Sequence, residues 1–215
     1  MSAEAAVAAE VHAAHPPTST GLDSRKLAIW TFLGSECMFF ASLISTYVVY
    51  RGKSLVGPFP HEAWTDPTTG RVFEPIIEIP LVTVGTALLL FSSLFIVLAL
   101  YGAQKGRRGM LLGWLAATIG CGMFFVGMQV YEFTHFVHKG LTLSRNLFGA
   151  SFFTLTGFHG THVSIGVIWL ITMWILAFRR QLPPQNSLNL EMAALYWHFV
   201  DVVWIVIFPV VYLMK

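Results

Sequence analysis

Charged residues are scarce in this sequence. Only 11% of its 215 residues are Asp, Glu, Lys or Arg, whereas 55% are hydrophobic. A soluble globular domain carries about 25% charged residues. Because so apolar a chain could not hide its side chains in a soluble core of this size, we expect an integral membrane protein. Its net charge of +2 is too small to indicate a nucleic-acid partner.

Cysteine and the common catalytic motifs are also scarce or missing. Cys37 and Cys121 both lie in apolar runs, which argues against a disulfide framework. The sequence has no Gly-rich phosphate loop, no C-x-x-C-H heme attachment motif, no nucleophile elbow and no His-Glu-x-x-His pair. It has no basic segment typical of a signal peptide either, so we expect the first apolar run to act as an uncleaved insertion signal.

Five apolar runs are long enough to cross a membrane. Each exceeds the roughly 20 residues that a helix needs to span about 30 Å of hydrocarbon. The predicted fold class is therefore all-α, an integral membrane bundle of five transmembrane helices. The polar N-terminal segment, residues 1–24, predicts a mobile cytoplasmic tail ahead of a membrane domain over 25–215. The predicted spans cover about residues 27–50, 80–101, 110–137, 147–178 and 192–214.

The distribution of basic residues bears on orientation. With the N-terminus inside, the basic clusters at 25–26, 105–108 and 179–180 all lie in the cytoplasm, as the positive-inside rule favours. The totals of Lys and Arg on the two sides are close, so the preference depends on these short, tightly clustered loops. We therefore expect the N-terminus inside and the C-terminus outside.

Ionisable side chains occur inside two of the predicted spans in ways that indicate a function. A charged residue at the bilayer centre costs about 2.5–3.5 kcal/mol on insertion scales. His198 and Asp201 share one helix face, because they are three residues apart, and can reach each other or a common partner. Glu36, near mid-bilayer, is either a proton-handling or lipid-sensing carboxyl or a neutral acid hydrogen-bonded to a neighbouring helix.

Two further spans carry polar groups. Glu132, three residues after Gln129, is either a solvated helix end or an inward anchor. His159 and His162 in the fourth span, together with His198, raise a heme or copper site, since neutral imidazole is the commonest protein metal ligand. Two histidines three apart on one helix do not complete such a site, so interhelical hydrogen bonding is the preferred interpretation.

Small residues recur every fourth position in two spans. Such stripes let helix backbones approach closely, so we expect them to face neighbouring helices in a tight bundle. The stripes are Gly109, Gly113, Ala117 and Cys121 in the third span, and Cys37, Ala41 and Ser45 in the first.

Five segments, in order along the chain, resemble one membrane-protein family. That family is cytochrome c oxidase subunit III of the heme-copper terminal oxidases, in its short five-helix bacterial form. The segments are Gly-Ser-Glu-Cys-Met-Phe-Phe at 34–40, Glu-Pro-Ile-Ile-Glu-Ile-Pro at 74–80, Gln-Val-Tyr-Glu at 129–132, Thr-Gly-Phe-His-Gly-Thr-His-Val-Ser-Ile-Gly at 156–166 and Tyr-Trp-His-Phe-Val-Asp-Val-Val-Trp at 196–204.

The resemblance implies a non-redox accessory subunit of a proton-translocating cytochrome c:O2 oxidase in the bacterial plasma membrane. Heme and copper would belong to partner subunits, namely the catalytic subunit I, subunit II and small subunits, and this chain would hold no metal. It would bind phospholipid in a cleft and support proton uptake and stability of the catalytic subunit. The same resemblance leaves open a quinol oxidase or nitric oxide reductase complex, and a stand-alone heme or proton membrane protein is the remote alternative.

The resemblance also implies roles for individual residues. Glu36 corresponds to the family's lipid-cleft glutamate. The lipid-cleft or proton-related residues are Glu36, His159, His162 and His198, and the structural polar contacts are Gln129, Glu132 and Asp201.

The orientation can be tested with reporter fusions. Alkaline phosphatase, which is active only outside the cytoplasm, is expected to be active when fused after Lys215 and inactive when inserted at residues 105–108. The reason is that the basic loops are retained on the cytoplasmic side. Enzyme activity in whole cells, normalised to fusion protein, measures this, and the reverse pattern would contradict the predicted orientation.

Overall fold

The structure is a computed structural model that describes residues 23–54, 57, 59, 62–65, 70, 72–73, 79–180 and 188–214. All five of its long helices are long and apolar enough to cross a membrane, which confirms the predicted five-helix membrane bundle. The predicted tail lies outside the described residues except for Asp23 and Ser24. The helices are α1 (Ser24–Tyr50), α2 (Ile79–Gln104), α3 (Arg108–His138), α4 (Leu147–Phe178) and α5 (Leu188–Phe208).

The loop between α1 and α2 contains a short β-ladder. Strands β1 (Trp64–Thr65) and β2 (Val72–Phe73) pair antiparallel, with Trp64 opposite Phe73. The sequence predicts only a polar, proline-punctuated loop here. These two-residue strands are the only strands within the described ranges.

Local side chains fix where several helices begin. The Asp23 carboxylate accepts a hydrogen bond from the Arg25 backbone N–H at 2.9 Å, and the Asn146 amide oxygen accepts one from the Gly149 N–H at 2.7 Å. Each bond satisfies a backbone donor that the first helical turn leaves unpaired. Between α2 and α3, Gly106 has φ +67°, a left-handed conformation that glycine adopts without a steric penalty.

Both ends of α5 differ from the apolar run that predicted it. The helix begins at Leu188, before the apolar run starts at Met192, and Glu191 in its first turn forms an ion pair with Lys26 at 3.3 Å. At the other end, Pro209 has no backbone N–H to donate. The chain there makes a π-helical turn over Pro209–Leu213, closed by a 2.9 Å bond from the Met214 N–H to the Pro209 carbonyl.

Helix α5 lies in the middle of the bundle. It contacts α1, α2 and α4, while α4 also packs against α1 and α3, and α3 runs along α2. In an apolar stretch of 18 residues within Leu188–Leu213, which is α5 with the turn that follows it, 56% of the residues are buried, against 11% in such a stretch of α1. The polar residues of α5 are therefore positioned to meet other helices.

Two glycines provide the space for the indole of Trp197, a fully buried side chain of α5. A Cβ added at Gly122 of α3 would lie 2.6 Å from Trp197 Cη2 and 2.7 Å from Val167 Cγ2. A Cβ at Gly166 of α4 would lie 3.0 Å from Trp197 Cε3. The indole ring thus packs directly against the backbones of α3 and α4.

The predicted small-residue stripes do not make these contacts. A Cβ at Gly109 or Gly113 would meet nothing within 4 Å, and Cys37, Ala41 and Ser45 are all exposed. The expectation that the stripes face neighbouring helices of this bundle is therefore wrong for the first span and for the first half of the stripe in the third span. Ala117 and Cys121, in its second half, are half-buried. On α3 the glycine that lies directly against a neighbouring side chain is Gly122, because the Trp197 ring leaves no room there for a Cβ.

The two glycines of α3 at 120 and 122 provide a matched test of this packing. Replacing Gly122 by alanine should destabilise the bundle by about 1–3 kcal/mol, because the added methyl group overlaps a rigid indole. Gly120→Ala adds the same methyl group where nothing lies within 4 Å, and it should be neutral or stabilise by up to about 1 kcal/mol. Unfolding in detergent micelles measures both, and equal effects would contradict the account.

Candidate functional site

Glu36 and His162 form a polar pair between α1 and α4. The Glu36 Oε2 lies 3.1 Å from the His162 Nε2, and the two side chains are 19% and 14% exposed. The rings of Phe39 and Phe158, with centroids 5.1 Å apart, pack edge to face nearby. Two of the residues predicted to be functional, 126 positions apart in sequence, are therefore direct partners.

The hydrogen bonds of His162 fix how many protons the pair holds. Its Nδ1 lies 2.7 Å from the Phe158 carbonyl oxygen, which can only accept, so Nδ1 carries a hydrogen and donates it. The contact between Nε2 and Glu36 then needs one further proton, carried by either partner. Whichever group carries it, the pair has no net charge, which suits a site surrounded by apolar helices.

A second polar cluster joins α2 to α5. Ser93 donates to the Asp201 Oδ2, and its Oγ lies 3.1 Å from the His198 Nδ1. His198 and Asp201 thus contact the common partner that their spacing allowed, and that partner is a serine of another helix. Asp201 is 3% exposed, and its Oδ1 has no hydrogen-bond partner in the part of the chain that the structure describes.

Two indoles of α5 bond to hydroxyl groups of α2 on either side of this cluster. Trp197 donates its Nε1–H to the Ser92 Oγ at 2.9 Å, and Trp204 donates to the Thr86 Oγ1 at 2.9 Å. As the residue number rises along α5 it falls along α2, so the two helices run antiparallel with paired polar groups along their contact. Hydrogen bonds of this kind hold membrane helices together.

His159 lies in the core, apart from the other two histidines. It is 0% exposed, and its ring stacks on Trp204 with centroids 4.8 Å apart and meets Phe125 edge-on at 5.9 Å. Neither of its ring nitrogens has a hydrogen-bond partner among residues 23–54, 79–180 and 188–214 or the described loop positions. His159 therefore packs as an aromatic ring.

Polar side chains of α3 also face inward. Tyr212 donates to the Glu132 Oε2 at 2.9 Å, and Glu132 is 5% exposed. Glu132 is therefore an inward anchor, and the alternative of a solvated helix end is wrong. Gln129 donates to the Thr156 carbonyl at 2.5 Å, in a position that Gly160 leaves open because it has no Cβ.

Comparison with known proteins identifies the family. The family model described as "Cytochrome c oxidase subunit III" matches residues 4–215. The chain is 37% identical to "Cytochrome c oxidase subunit 3" of Bacillus sp. (strain PS3) over 216 residues, covering 100% of this chain and 98% of that protein. The chain belongs to the cytochrome c oxidase subunit III family. The resemblance drawn from the five segments is confirmed.

Relatives in this subunit III family include quinol oxidase forms. "Cytochrome bo(3) ubiquinol oxidase subunit 3" of Pseudomonas aeruginosa is 40% identical over 185 residues, covering 86% of this chain and 82% of that protein. "Quinol oxidase subunit 3" of Bacillus spizizenii is 39% identical over 188 residues, covering 87% and 86%. The chain is thus a subunit III of the heme-copper oxidases and a multi-pass membrane protein of the bacterial type.

The structure separates the three histidines that could have formed a metal site in this subunit III chain. His162 bonds to Glu36, His198 bonds to Ser93, and His159 stacks on Trp204. Within the described residues, no three His, Cys, Asp or Glu side chains are grouped so that they could hold a metal ion. A convergent set of three protein ligands is what a catalytic metal usually needs.

Sequence reasoning missed the hydroxyl residues that complete these contacts. Thr86, Ser92 and Ser93 stand in an apolar run, where they read as ordinary packing residues. Thr86 is six residues before Ser92 and seven before Ser93, and Trp197 is seven residues before Trp204 on α5. These similar separations could have indicated the pairing, once the two helices were assumed to be antiparallel neighbours.

Replacing Ser93 by alanine tests the α2–α5 cluster. The change removes one partner from Asp201 and one from His198, and it should destabilise the bundle by about 1–3 kcal/mol, because buried polar groups lose their hydrogen bonds. Ser42→Ala is the control, since Ser42 is exposed and its side chain donates to the Phe39 carbonyl of its own helix, with no other bond among the described residues. That variant should stay within about 0.5 kcal/mol of wild type. Equal stability of both variants in detergent would contradict the assignment.

Proposed function

We propose that this chain is the non-redox accessory subunit of a proton-translocating aerobic terminal oxidase in the bacterial plasma membrane. The observation that carries this is family membership over nearly the whole chain, from residue 4 to 215. The contacts of the three membrane histidines agree with it, because each has a separate aromatic or polar neighbour. In this proposal heme and copper lie in partner subunits, subunit I and subunit II.

The electron donor in this proposal is cytochrome c, because the relative that matches over the full chain is named a cytochrome c oxidase subunit. A quinol oxidase is the alternative, since two relatives of that name are 40% and 39% identical to the chain. Purification of the complex in mild detergent decides between them. A co-purifying subunit whose cupredoxin domain contains copper supports cytochrome c as the donor. A co-purifying subunit whose cupredoxin domain lacks copper supports quinol.

Lipid binding beside Glu36 is the second part of the proposal. The Glu36–His162 pair is partly exposed at the junction of α1 and α4, so a lipid lying there would contact it. Toward the C-terminal end of α1, the same two helices border an apolar groove of about 230 Å³. The groove is lined by Leu43, Thr46 and Tyr50 of α1 and by Leu147, Ala150, Ser151 and Thr154 of α4.

A bound phospholipid chain along this groove would bury apolar surface of α1. That helix has few contacts within the bundle, as its low buried fraction shows. Lipid bound there would hold α1 against α4, next to the neutral Glu36–His162 pair. By holding α1 in place, the lipid would let the subunit help the catalytic subunit sustain proton uptake during turnover. In this proposal the N-terminus lies in the cytoplasm.

Replacing Glu36 by alanine in the purified complex tests this role. The variant should retain less phospholipid and lose activity faster during sustained turnover, because His162 Nε2 loses its hydrogen-bond partner, at a cost of about 1–3 kcal/mol for a buried polar group. The heme spectrum should be unchanged. Phosphorus analysis, progress curves of oxygen consumption and absorbance spectra measure these outcomes.

Two controls accompany the Glu36 variant. Glu36→Gln keeps a hydrogen-bonding group at this position and should show a smaller effect, while Ser42→Ala on the same helix should behave as wild type. Loss of the heme spectrum in an assembled complex would count against a role without a redox centre. Wild-type lipid content together with wild-type durability would count against lipid binding at Glu36.

A further inference from the structure

The outer nitrogen of His198 lies at the surface of the bundle. His198 is half-buried, and its Nδ1 faces Ser93. Its Nε2 has no partner in the described part of the chain, yet it is not among the enclosed polar atoms that lack one. This nitrogen therefore lies at the outer surface of α2 and α5, near the middle of the membrane, where it contacts lipid or another membrane protein.

The bonds of the Ser93 cluster occupy only the inner nitrogen of His198. Ser93 has one hydroxyl hydrogen and donates it to Asp201, so the His198 Nδ1 donates to the Ser93 Oγ. The outer nitrogen, Nε2, takes no part in these bonds. It is a hydrogen-bond donor when the ring is doubly protonated and an acceptor when the ring is neutral.

Exposed apolar side chains flank this nitrogen. We define the His198 face as His198 with five exposed residues near it in sequence on α2 and α5. These are Leu90 and Val97, one helical turn before and after Ser93, Leu94 next to Ser93, and Val202 and Ile205, one and two turns after His198. Hydrocarbon offers no hydrogen-bond partner for an imidazole nitrogen, and an unsatisfied polar group in a membrane is costly. Lipid tails could cover the five apolar side chains but could not satisfy His198.

We propose that the His198 face docks a transmembrane helix of a neighbouring oxidase subunit, which presents a hydrogen-bonding side chain to His198 Nε2. A Ser, Thr or Tyr hydroxyl group fits this position, because a hydroxyl can both donate and accept a hydrogen bond. This inference rests on the proposed function, because it requires that the chain works within an oxidase complex. It adds which face of the subunit meets the partner and which chemistry the partner supplies.

Two substitutions separate the outer nitrogen from the inner one. The amide nitrogen of glutamine can take the place of Nε2, whereas the shorter asparagine can take only the place of Nδ1. His198→Gln should therefore keep the subunit in the complex. His198→Asn should dissociate roughly 3- to 20-fold faster, the range for one interhelical hydrogen bond in a membrane. Timed release from the intact complex in mild detergent, followed on native gels, measures the rates.

The reverse order of the two variants would overturn the proposal, because it would show that only the inner contact to Ser93 matters. Wild-type rates for both variants would overturn it as well. Trp197→Phe is the control, since it removes an internal α2–α5 bond to Ser92 without altering the His198 face. It should lower thermal stability while leaving the dissociation rate within about twofold of wild type.

If both variants release the subunit, cross-linking decides. A photoreactive benzophenone amino acid at Val202, one turn from His198, should give an adduct with a partner subunit in the whole complex. Adducts with lipid only would overturn the proposal. Such a result would leave the proposed function intact as long as heme-containing subunits co-purify, whereas a subunit isolated without them would count against the proposed function itself.

Discussion

Helix α5 can occupy the middle of this bundle because its polar side chains find partners on neighbouring helices. In an apolar interior a polar group without a hydrogen bond costs about 1–3 kcal/mol by mutational data. The serines and threonine of α2 meet this requirement for two indoles, one carboxylate and one imidazole. The depth at which α5 is buried, its antiparallel register against α2 and the inward direction of its polar residues all depend on these bonds.

The same need for partners applies to the two clusters that contain ionisable side chains. Glu36 with His162, and Asp201 with His198, each bring a carboxyl group and an imidazole from the membrane interior into one hydrogen-bonded group. A pair of this kind can exist without net charge, which removes most of the cost of placing ions in a low dielectric. His159 has no acid beside it, and it packs in the core as an aromatic ring on Trp204.

Length and apolarity were sufficient to predict the five helices, because each span must bury its backbone groups within itself. The partners across helices were less accessible. The joint partner of His198 and Asp201 could be expected from their spacing, but Ser93 is 108 positions from Asp201, and no local pattern indicates that distance. Glu36 and His162 are likewise paired only by the packing of α1 on α4. Family resemblance named these residues as important without saying which of them touch.

The small-residue stripe of α3 did not predict which face of that helix packs against its neighbours. A four-residue repeat of Gly, Ala, Ser or Cys shows that a backbone can be approached closely, and several faces of α3 satisfy this. Gly122 was not part of the chosen repeat, although it stands next to Cys121. What selects its face is a property of another helix, the width of the Trp197 ring. The early start of α5 also depends on another helix. Glu191, in the first turn of α5, forms an ion pair with Lys26 of α1, and the sequence near Glu191 does not indicate this partner.

The position of Trp197 has a consequence for how the chain assembles during synthesis. The slot for its ring is made by the backbones of α3 and α4, both of which leave the ribosome before α5. Before α5 is made, the glycines at 122 and 166 have no side chain that could occupy the space of this ring. We therefore expect α3 and α4 to insert first and to reach their final packing only when α5 brings in Trp197.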